Sequence, residues 1–162
     1  MKIRFANETD IPAIKQLIDI NFDEVISKHH SPAVVKKFKK YNSIESLKSQ
    51  LVWKTVYVAV VDNQIIATGA LANFGTPCSP KYSVSNFYVL PQLHKKGIGT
   101  KLINKLIKLA KEHSAAAFHV PSTRNAVPFY EKSGFIVDTD QPEAKDEITW
   151  MTLIFKGRER NQ

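Results

Sequence analysis

Residues 89–100 read Val-Leu-Pro-Gln-Leu-His-Lys-Lys-Gly-Ile-Gly-Thr, and this stretch decides how the chain is expected to fold. A strand ends before Pro91, and a helix with apolar residues at Ile98, Leu102 and Leu106 begins a few residues later. The first turn of a helix exposes N–H groups that have no intrahelical acceptor, and glycines let a ligand approach them closely. The stretch therefore predicts a phosphate or pyrophosphate site.

The identity of that phosphate ligand is constrained by what the stretch lacks. A dinucleotide-binding fingerprint needs a third glycine where this chain has Leu102. A P-loop needs Gly-Lys-Ser/Thr after four spacer residues, and no such sequence is present. An ordinary strand–helix connection, with glycines that permit tight packing, stays open as an alternative.

A second stretch, residues 126–135, reads Ala-Val-Pro-Phe-Tyr-Glu-Lys-Ser-Gly-Phe. It predicts a short helix over Asn125 to Ser133 with Pro128 in the first turn and Gly134 after the last. Tyr130 lies within this helix, one turn before its exit. From the residues alone a buried core tyrosine and a functional tyrosine both remain open.

Together the two stretches resemble the GCN5-related N-acetyltransferase (GNAT) family. The family pattern Val-x-Pro followed by Gln/Arg-x-x-Gly-x-Gly/Ala is matched by residues 89–99, with His94 in place of Gln or Arg. The pattern Ala-x-x-Phe-Tyr-Glu-Lys-x-Gly-Phe is matched by residues 126–135 at every specified position. The resemblance is strong over residues 85–135 and extends loosely from Ile3 to Phe155.

The resemblance implies an α/β fold with a mixed, mostly antiparallel sheet of about seven strands flanked by helices. The sheet would splay open between strands 4 and 5. The length of 162 residues fits a single GNAT-like domain over residues 1–156. The polar residues 157–162 are expected to form a frayed tail.

The resemblance also implies acetyl-coenzyme A (acetyl-CoA) as the acetyl donor, bound without a metal. Tyr130 would be the catalytic residue that protonates the departing thiolate. The cofactor-binding residues would come from the fourth strand, the glycine turn and the segment before the last helix: Phe87, Tyr88, Val89, His94, Lys95, Lys96, Gly97, Ile98, Gly99, Thr100 and Asn125. Most phosphate contacts in the family are backbone N–H groups, so His94 should leave binding intact.

The general base is not assigned by the sequence. The family often places a carboxylate on strand four, but residues 82–88 contain neither Asp nor Glu. A water relay through Ser85 or Asn86 is one alternative. Other candidates are side chains of the amino-terminal helical region and of a later strand: Asp23, Glu24, His29, His30 and His119.

The rest of the chain alternates short β-type runs with helical runs. Apolar spacing predicts helices over residues 11–22, from residue 31 through 38, and for a turn or two over 44–51. Strands are predicted over residues 3–5, 56–61, 64–72, 82–90, 115–120, 135–137 and 148–155. In the family the first two helices and the loop after strand three determine which acceptor binds. The corresponding segments here are residues 20–50 and 73–81.

Composition limits the classes of partner. The net charge is +8, but the lysines are scattered along helices and no DNA-binding motif is present, which disfavours nucleic acid. No long apolar run indicates a membrane span or a signal peptide, and the single cysteine cannot form an internal disulfide, so we expect a cytoplasmic protein. The expected partner is an amine acceptor, either a small molecule or a peptide.

Two functions therefore remain open for this sequence. The first is an N-acetyltransferase that moves an acetyl group directly from acetyl-CoA to a primary amine. The alternative is a non-catalytic coenzyme A sensor or interaction module. The resemblance leaves a homodimer open.

Overall fold

A computed structural model describes residues 1–140 and 146–155. Its five α-helices are α1 (Ile11–Glu24), α2 (Pro32–Tyr41), α3 (Ile44–Trp53), α4 (Ile98–Glu112) and α5 (Val127–Lys132). Its strands are β1 (Lys2–Phe5), β2 (Thr55–Val61), β3 (Gln64–Asn73), β4 (Tyr82–Val89), β5 (Ala117–Ser122), β6 (Ile136–Val137) and β7 (Thr149–Ile154). The tail predicted over 157–162 lies outside the described residues.

The strands form one sheet in the order β1-β2-β3-β4-β5-β7-β6. Every neighbouring pair is antiparallel except β4 and β5, which are parallel. Within the described residues, β4 and β5 pair at a single position, Ser83 with His119. The predicted mixed seven-stranded sheet that opens between strands 4 and 5 is therefore confirmed.

Helices cover both faces of the sheet, and alternation along β2 shows which helix lies on which face. Val58 packs in a core with Ile14 and Phe22 of α1. Its neighbours Tyr57 and Ala59 pack in the other core with Leu106 of α4 and its surrounding residues. Because successive side chains of a strand point to opposite faces, α1 to α3 lie on one side of the sheet and α4 on the other.

The hairpin between β2 and β3 turns at Asp62 and Asn63, as predicted. Their φ angles are +48° and +60°. Two consecutive residues with positive φ form the type of turn that matches the twist of the flanking strands. Asn and Asp tolerate this conformation better than other side chains.

Two predicted boundaries shift for reasons that lie in the backbone. Strand β5 begins at Ala117 rather than residue 115, because the exit from α4 needs the residues between. Ser114 there has a φ of +58°, and the Ala115 amide donates to the Ala110 carbonyl at 3.1 Å, which closes the helix end. A 3-10 turn, Arg124–Ala126, precedes α5, so the helix itself begins two residues later than predicted.

In the described ranges, no helix is both long and apolar enough to cross a bilayer. The same ranges contain no group of three or more His, Cys, Asp or Glu side chains placed to hold a metal ion.

Candidate active site

A bulge in β4 begins where β4 and β5 part. Ala70 of β3 pairs with Ser85, but Thr68 pairs with Tyr88, so Gly69 lies opposite two residues of β4. Asn86 in the bulge has a φ of +49°. A Cβ at Gly69 would lie 2.9 Å from the Phe87 ring, so only glycine admits that ring across β3. A bulge of this kind bends its strand, and here the parting runs toward the carboxyl ends of β4 and β5.

Helix α4 begins at this open end, and its N-cap is Gly97 with a φ of +82°. The first helical hydrogen bond runs from the Lys101 amide to the Gly97 carbonyl at 3.1 Å, so the amides of residues 98–100 have no intrahelical acceptor. Among the described residues, and apart from Gly97 and the adjoining backbone, no atom lies within 4 Å of where a Cβ of Gly97 would be. Free amides, a helix dipole and open space fit a diphosphate.

Gly99 serves a different purpose from Gly97. A Cβ at Gly99 would lie 3.1 Å from Cε2 of Phe129 in α5. The glycine thus lets the first turn of α4 pack against α5, as the alternative interpretation of the turn proposed. One glycine permits packing and the other leaves the backbone open to a ligand.

The remaining residues of the turn keep it in place and give it charge. His94 donates from Nε2 to the Val89 carbonyl at 2.8 Å, which ties the turn back to the end of β4. Lys95 and Lys96 are exposed, and Lys95 has a φ of +60°. Two ammonium groups therefore stand beside the free amides of α4, where they would favour an anion.

Asn125 lies in the 3-10 turn after β5, at the same open end of the sheet. Its Oδ1 atom is buried and accepts no hydrogen bond from the described residues. A buried acceptor without a donor is costly, so this atom is a candidate to accept a hydrogen bond from a ligand.

Tyr130 lies in a column of aromatic rings that spans the parting. It is 4% exposed, and its ring centroid lies 6.0 Å from Phe87, 5.1 Å from Phe129 and 5.6 Å from Phe135. Burial, and then electrostatic repulsion from Tyr88 if that hydroxyl ionises, raise the pKa of the Tyr130 hydroxyl. Tyr130 is therefore protonated at neutral pH and can donate a proton but not accept one.

The candidate bases near the amino terminus are engaged elsewhere or exposed. Asp23 pairs with Lys39 at 3.0 Å. The His30 ring is buried, and its Nε2 accepts from the Arg124 amide at 3.2 Å. Glu147 accepts from the Ser31 hydroxyl at 2.9 Å and from Arg124 at 3.1 Å. These contacts tie the start of α2 to the segment after β5.

The other two candidate bases of this region, Glu24 and His29, are exposed.

His119 lies at the closed end of the parting, where it pairs with Ser83. Its Nδ1 is 3.1 Å from the Thr152 hydroxyl. Burial, and then the charge of Lys81, lower its pKa, so the ring is neutral at pH 7. Its pairing with Ser83 and its contact with Thr152 hold His119 within the sheet, away from the open end between β4 and β5.

The structure brings to the site one residue that the sequence interpretation missed, Lys54. It follows α3 and is 6% exposed. Its Nζ lies within hydrogen-bond distance of four oxygens from α3, the α2 end and the β4 bulge: Gln50 Oε1 at 2.8 Å, Ser85 Oγ at 2.8 Å, Asn86 Oδ1 at 3.1 Å and Tyr41 OH at 3.2 Å. Burial lowers the pKa of Lys54 to about 8.

Three aromatic side chains surround the Lys54 ammonium, and we call Tyr41, Trp53 and Phe74 the aromatic rim. The ring centroids lie 5.1, 4.9 and 5.8 Å from Nζ. Each side chain is close to half exposed, at 48%, 47% and 45%. Phe74 begins the loop after β3, which also carries the exposed Cys78. The rim therefore faces both solvent and the buried ammonium.

The fold is similar to solved acetyltransferase structures. The PaiA N-acetyltransferase of Thermoplasma acidophilum, in complex with coenzyme A, has a TM-score of 0.79 at 17% identity over 96% of this chain and 100% of that one. A predicted acetyltransferase of Clostridium acetobutylicum with acetyl-CoA has a TM-score of 0.67 at 24% identity over 89% and 95%. N-acetylglutamate synthase of Neisseria gonorrhoeae, complexed with coenzyme A and N-acetyl-glutamate, has a TM-score of 0.70 at 20% identity over 96% and 35%.

At these identities the structural similarity establishes the fold alone. No curated protein matches the sequence. The family model for the acetyltransferase (GNAT) domain matches residues 26–155, which is most of the chain. That range contains the bulged fourth strand, the glycine turn and the helix that carries Tyr130. The chain therefore belongs to the GNAT acetyltransferase family.

Proposed function

We propose that this protein is an N-acetyltransferase that moves an acetyl group from acetyl-CoA directly to a primary amine of a small molecule or peptide. The observation that carries the proposal is the parting of β4 from β5, with the free amides of α4 at its open end. The coenzyme A and acetyl-CoA named in the structures of similar fold support it.

The residues at the open end fit the donor substrate, acetyl-CoA, whose thioester supplies an activated acetyl group. The amides of residues 97–100 would bind the diphosphate, with Lys95 and Lys96 adding charge. Asn125 Oδ1, which is buried without a donor among the described residues, would accept from the donor molecule. Backbone groups of residues 87–89 would hold its extended arm and acetyl carbonyl.

Tyr130 would supply the proton that leaving-group departure needs. As the amine nitrogen bonds to the acetyl carbon, the carbon–sulfur bond breaks and the sulfur takes the hydroxyl proton. The amine must lose a proton as well, which a water molecule bound to Ser85 or Asn86 would carry to solvent, and Tyr130 would regain its proton from solvent after the thiol leaves. Direct transfer requires no nucleophile from the protein, so no role is needed for Cys78.

A panel of amines, assayed for free thiol released from acetyl-CoA, tests this function together with calorimetric titration of coenzyme A. We expect coenzyme A to bind and at least one amine to be acetylated. Binding with no thiol release from any amine would favour the non-catalytic sensor, for which the lack of a carboxylate on β4 is the supporting observation. Absence of binding would overturn both functions.

A further inference from the structure

We propose that Lys54 selects the amine acceptor, and that this acceptor carries a carboxylate group which binds the Lys54 ammonium. The inference rests on the proposed acetyltransferase function and adds the substrate class. It would make an amino acid or a related amino-carboxylate the acceptor, and it would exclude polyamines.

The position of Lys54 places its charge at the point where β4 leaves β5. Its contacts with Ser85 and Asn86 join it to the two residues that precede Phe87 in the bulge. The other contacts come from α2 and α3, on the face opposite α4. An acceptor that approached the parting from the α2–α3 side would therefore meet this ammonium before it met the acetyl group.

The charge of Lys54 has no counterion among the residues that the structure describes. All four of its hydrogen-bond partners are neutral, and within the described residues no carboxylate pairs with it. Burying a charge without an opposite charge is costly, and the lowered pKa of Lys54 expresses that cost. A carboxylate ligand would supply the missing charge and so would gain binding energy that a neutral or cationic ligand cannot.

The hydrogen-bond partners favour an ammonium over a neutral amine at this position. Gln50 and Asn86 present amide oxygens, which only accept, and the Ser85 hydroxyl already donates to Asn86. All three oxygens therefore accept from Lys54, which takes the three protons of an ammonium. This argues for an anion-binding role and against a role as general base. The contact with the Tyr41 hydroxyl is the longest, at 3.2 Å, and is the one that a carboxylate oxygen would replace.

The aromatic rim lies between solvent and the ammonium. Its three side chains are each close to half exposed, so an acceptor that reached Lys54 would keep its apolar part in contact with the rings. Low-dielectric walls around a single charge also strengthen its attraction for an anion. The rim and the ammonium together fit an acceptor that combines a carboxylate with an apolar body.

Matched pairs of acceptors test the proposal. Thiol release from acetyl-CoA would be measured with the standard amino acids and with the corresponding carboxamides, which keep the amine and lose the charge. We expect the best amino acid to exceed its carboxamide about 50-fold in kcat/KM, since a charged hydrogen bond is lost. Lys54→Met should reduce this ratio to about one, and Lys54→Arg should restore part of it.

Lys48→Met is the matched control, because Lys48 is an exposed lysine of α3, the helix that Lys54 follows. It should leave the ratio unchanged, and calorimetry should give the same coenzyme A affinity for all three variants. As a second readout, the NMR titration of the Lys54 side chain should move to higher pH when the best amino acid is present. A merely structural lysine would show no such shift.

Three results would separate the possible failures. If amines are acetylated with no preference for a carboxylate, the substrate class is wrong and the acetyltransferase function stands. If the preference exists but survives in Lys54→Met, another residue binds the carboxylate. If coenzyme A does not bind, the proposed function itself fails.

Discussion

The two sides of the proposed site, which we call the donor side and the acceptor side after the substrates we expect them to bind, are built in different ways. The donor side consists of backbone amides and short-range neighbours in residues 94–100 and 125–135. The acceptor side consists of side chains from four separate segments, among them Tyr41, Lys54 and Ser85. A site made from backbone can keep its ligand through sequence change, whereas a site made from side chains can change its ligand without changing the fold.

The largest effect should come from removing the proposed acid of the donor side, the Tyr130 hydroxyl. Tyr130→Phe should lower kcat about 100-fold, because the departing sulfur loses its proton donor. Steady-state kinetics would measure it, with calorimetry expected to give an unchanged coenzyme A affinity. Tyr57→Phe is the control, since Tyr57 is also buried but stacks on Phe5. An unchanged kcat in Tyr130→Phe would remove Tyr130 from the acid role.

A smaller effect should follow from placing a side chain over the free amides of α4. Gly97→Asn keeps a residue that tolerates positive φ but fills the open space, and it should weaken coenzyme A binding about 30-fold. Gly134→Asn makes the same change at the other glycine with positive φ among the described residues, where φ is +99°, and should lower stability without altering the affinity for coenzyme A. Equal dissociation constants for wild type and Gly97→Asn would show that the diphosphate binds elsewhere.

On the acceptor side, stability and selectivity should move in opposite directions. Lys54→Met should raise the free energy of unfolding by about 1–3 kcal/mol at pH 7, because a buried charge is replaced by an apolar side chain of similar size. The two amide oxygens that lose the Lys54 donor keep another one: Asn86 donates to Gln50, and Ser85 donates to Asn86. Urea denaturation would measure the change. A less stable variant would mean that the hydrogen bonds of the ammonium outweigh its desolvation.

The difference in stability between the wild type and Lys54→Met should depend on pH, because folding lowers the pKa of Lys54. Folding reduces the pKa of Lys54 from 10.5 to about 8, so between those values the unfolded chain holds a proton that the folded protein has lost. The wild type should therefore gain stability as pH rises through this window, and Lys54→Met should lack that gain. The advantage of the variant should narrow from pH 8 upward, and a constant difference would contradict the assignment.

The smallest effect is expected at Asn125. Asn125→Ala removes one buried acceptor and should weaken coenzyme A binding about 5-fold, as the loss of a single neutral hydrogen bond does. Calorimetry would measure it. An increase in stability without a change in affinity would show that the buried oxygen has no ligand partner.

The donor side could be predicted from sequence because its residues are close together in the chain. Glycines and a helix start are local signals, and the resemblance carried the fold and the position of Tyr130. Lys54 could not be predicted, because as a residue type it looks like any other surface lysine. Its burial depends on the bulge at Asn86 and on α3 continuing to Trp53, beyond the predicted turn or two. The sequence did contain one indication of an acceptor site here: the aromatic residues Tyr41 and Trp53 lie in or just after residues 20–50, which were expected to determine the acceptor.

The loop after β3 has a practical consequence. It carries Phe74 of the aromatic rim, and it also carries Cys78, which is exposed and is the only cysteine in the sequence. A thiol-reactive fluorophore would therefore attach at one defined position in the same loop as Phe74 of the proposed acceptor side, with no engineered mutation. Changes in its emission on addition of candidate amines would provide a screen that does not depend on turnover.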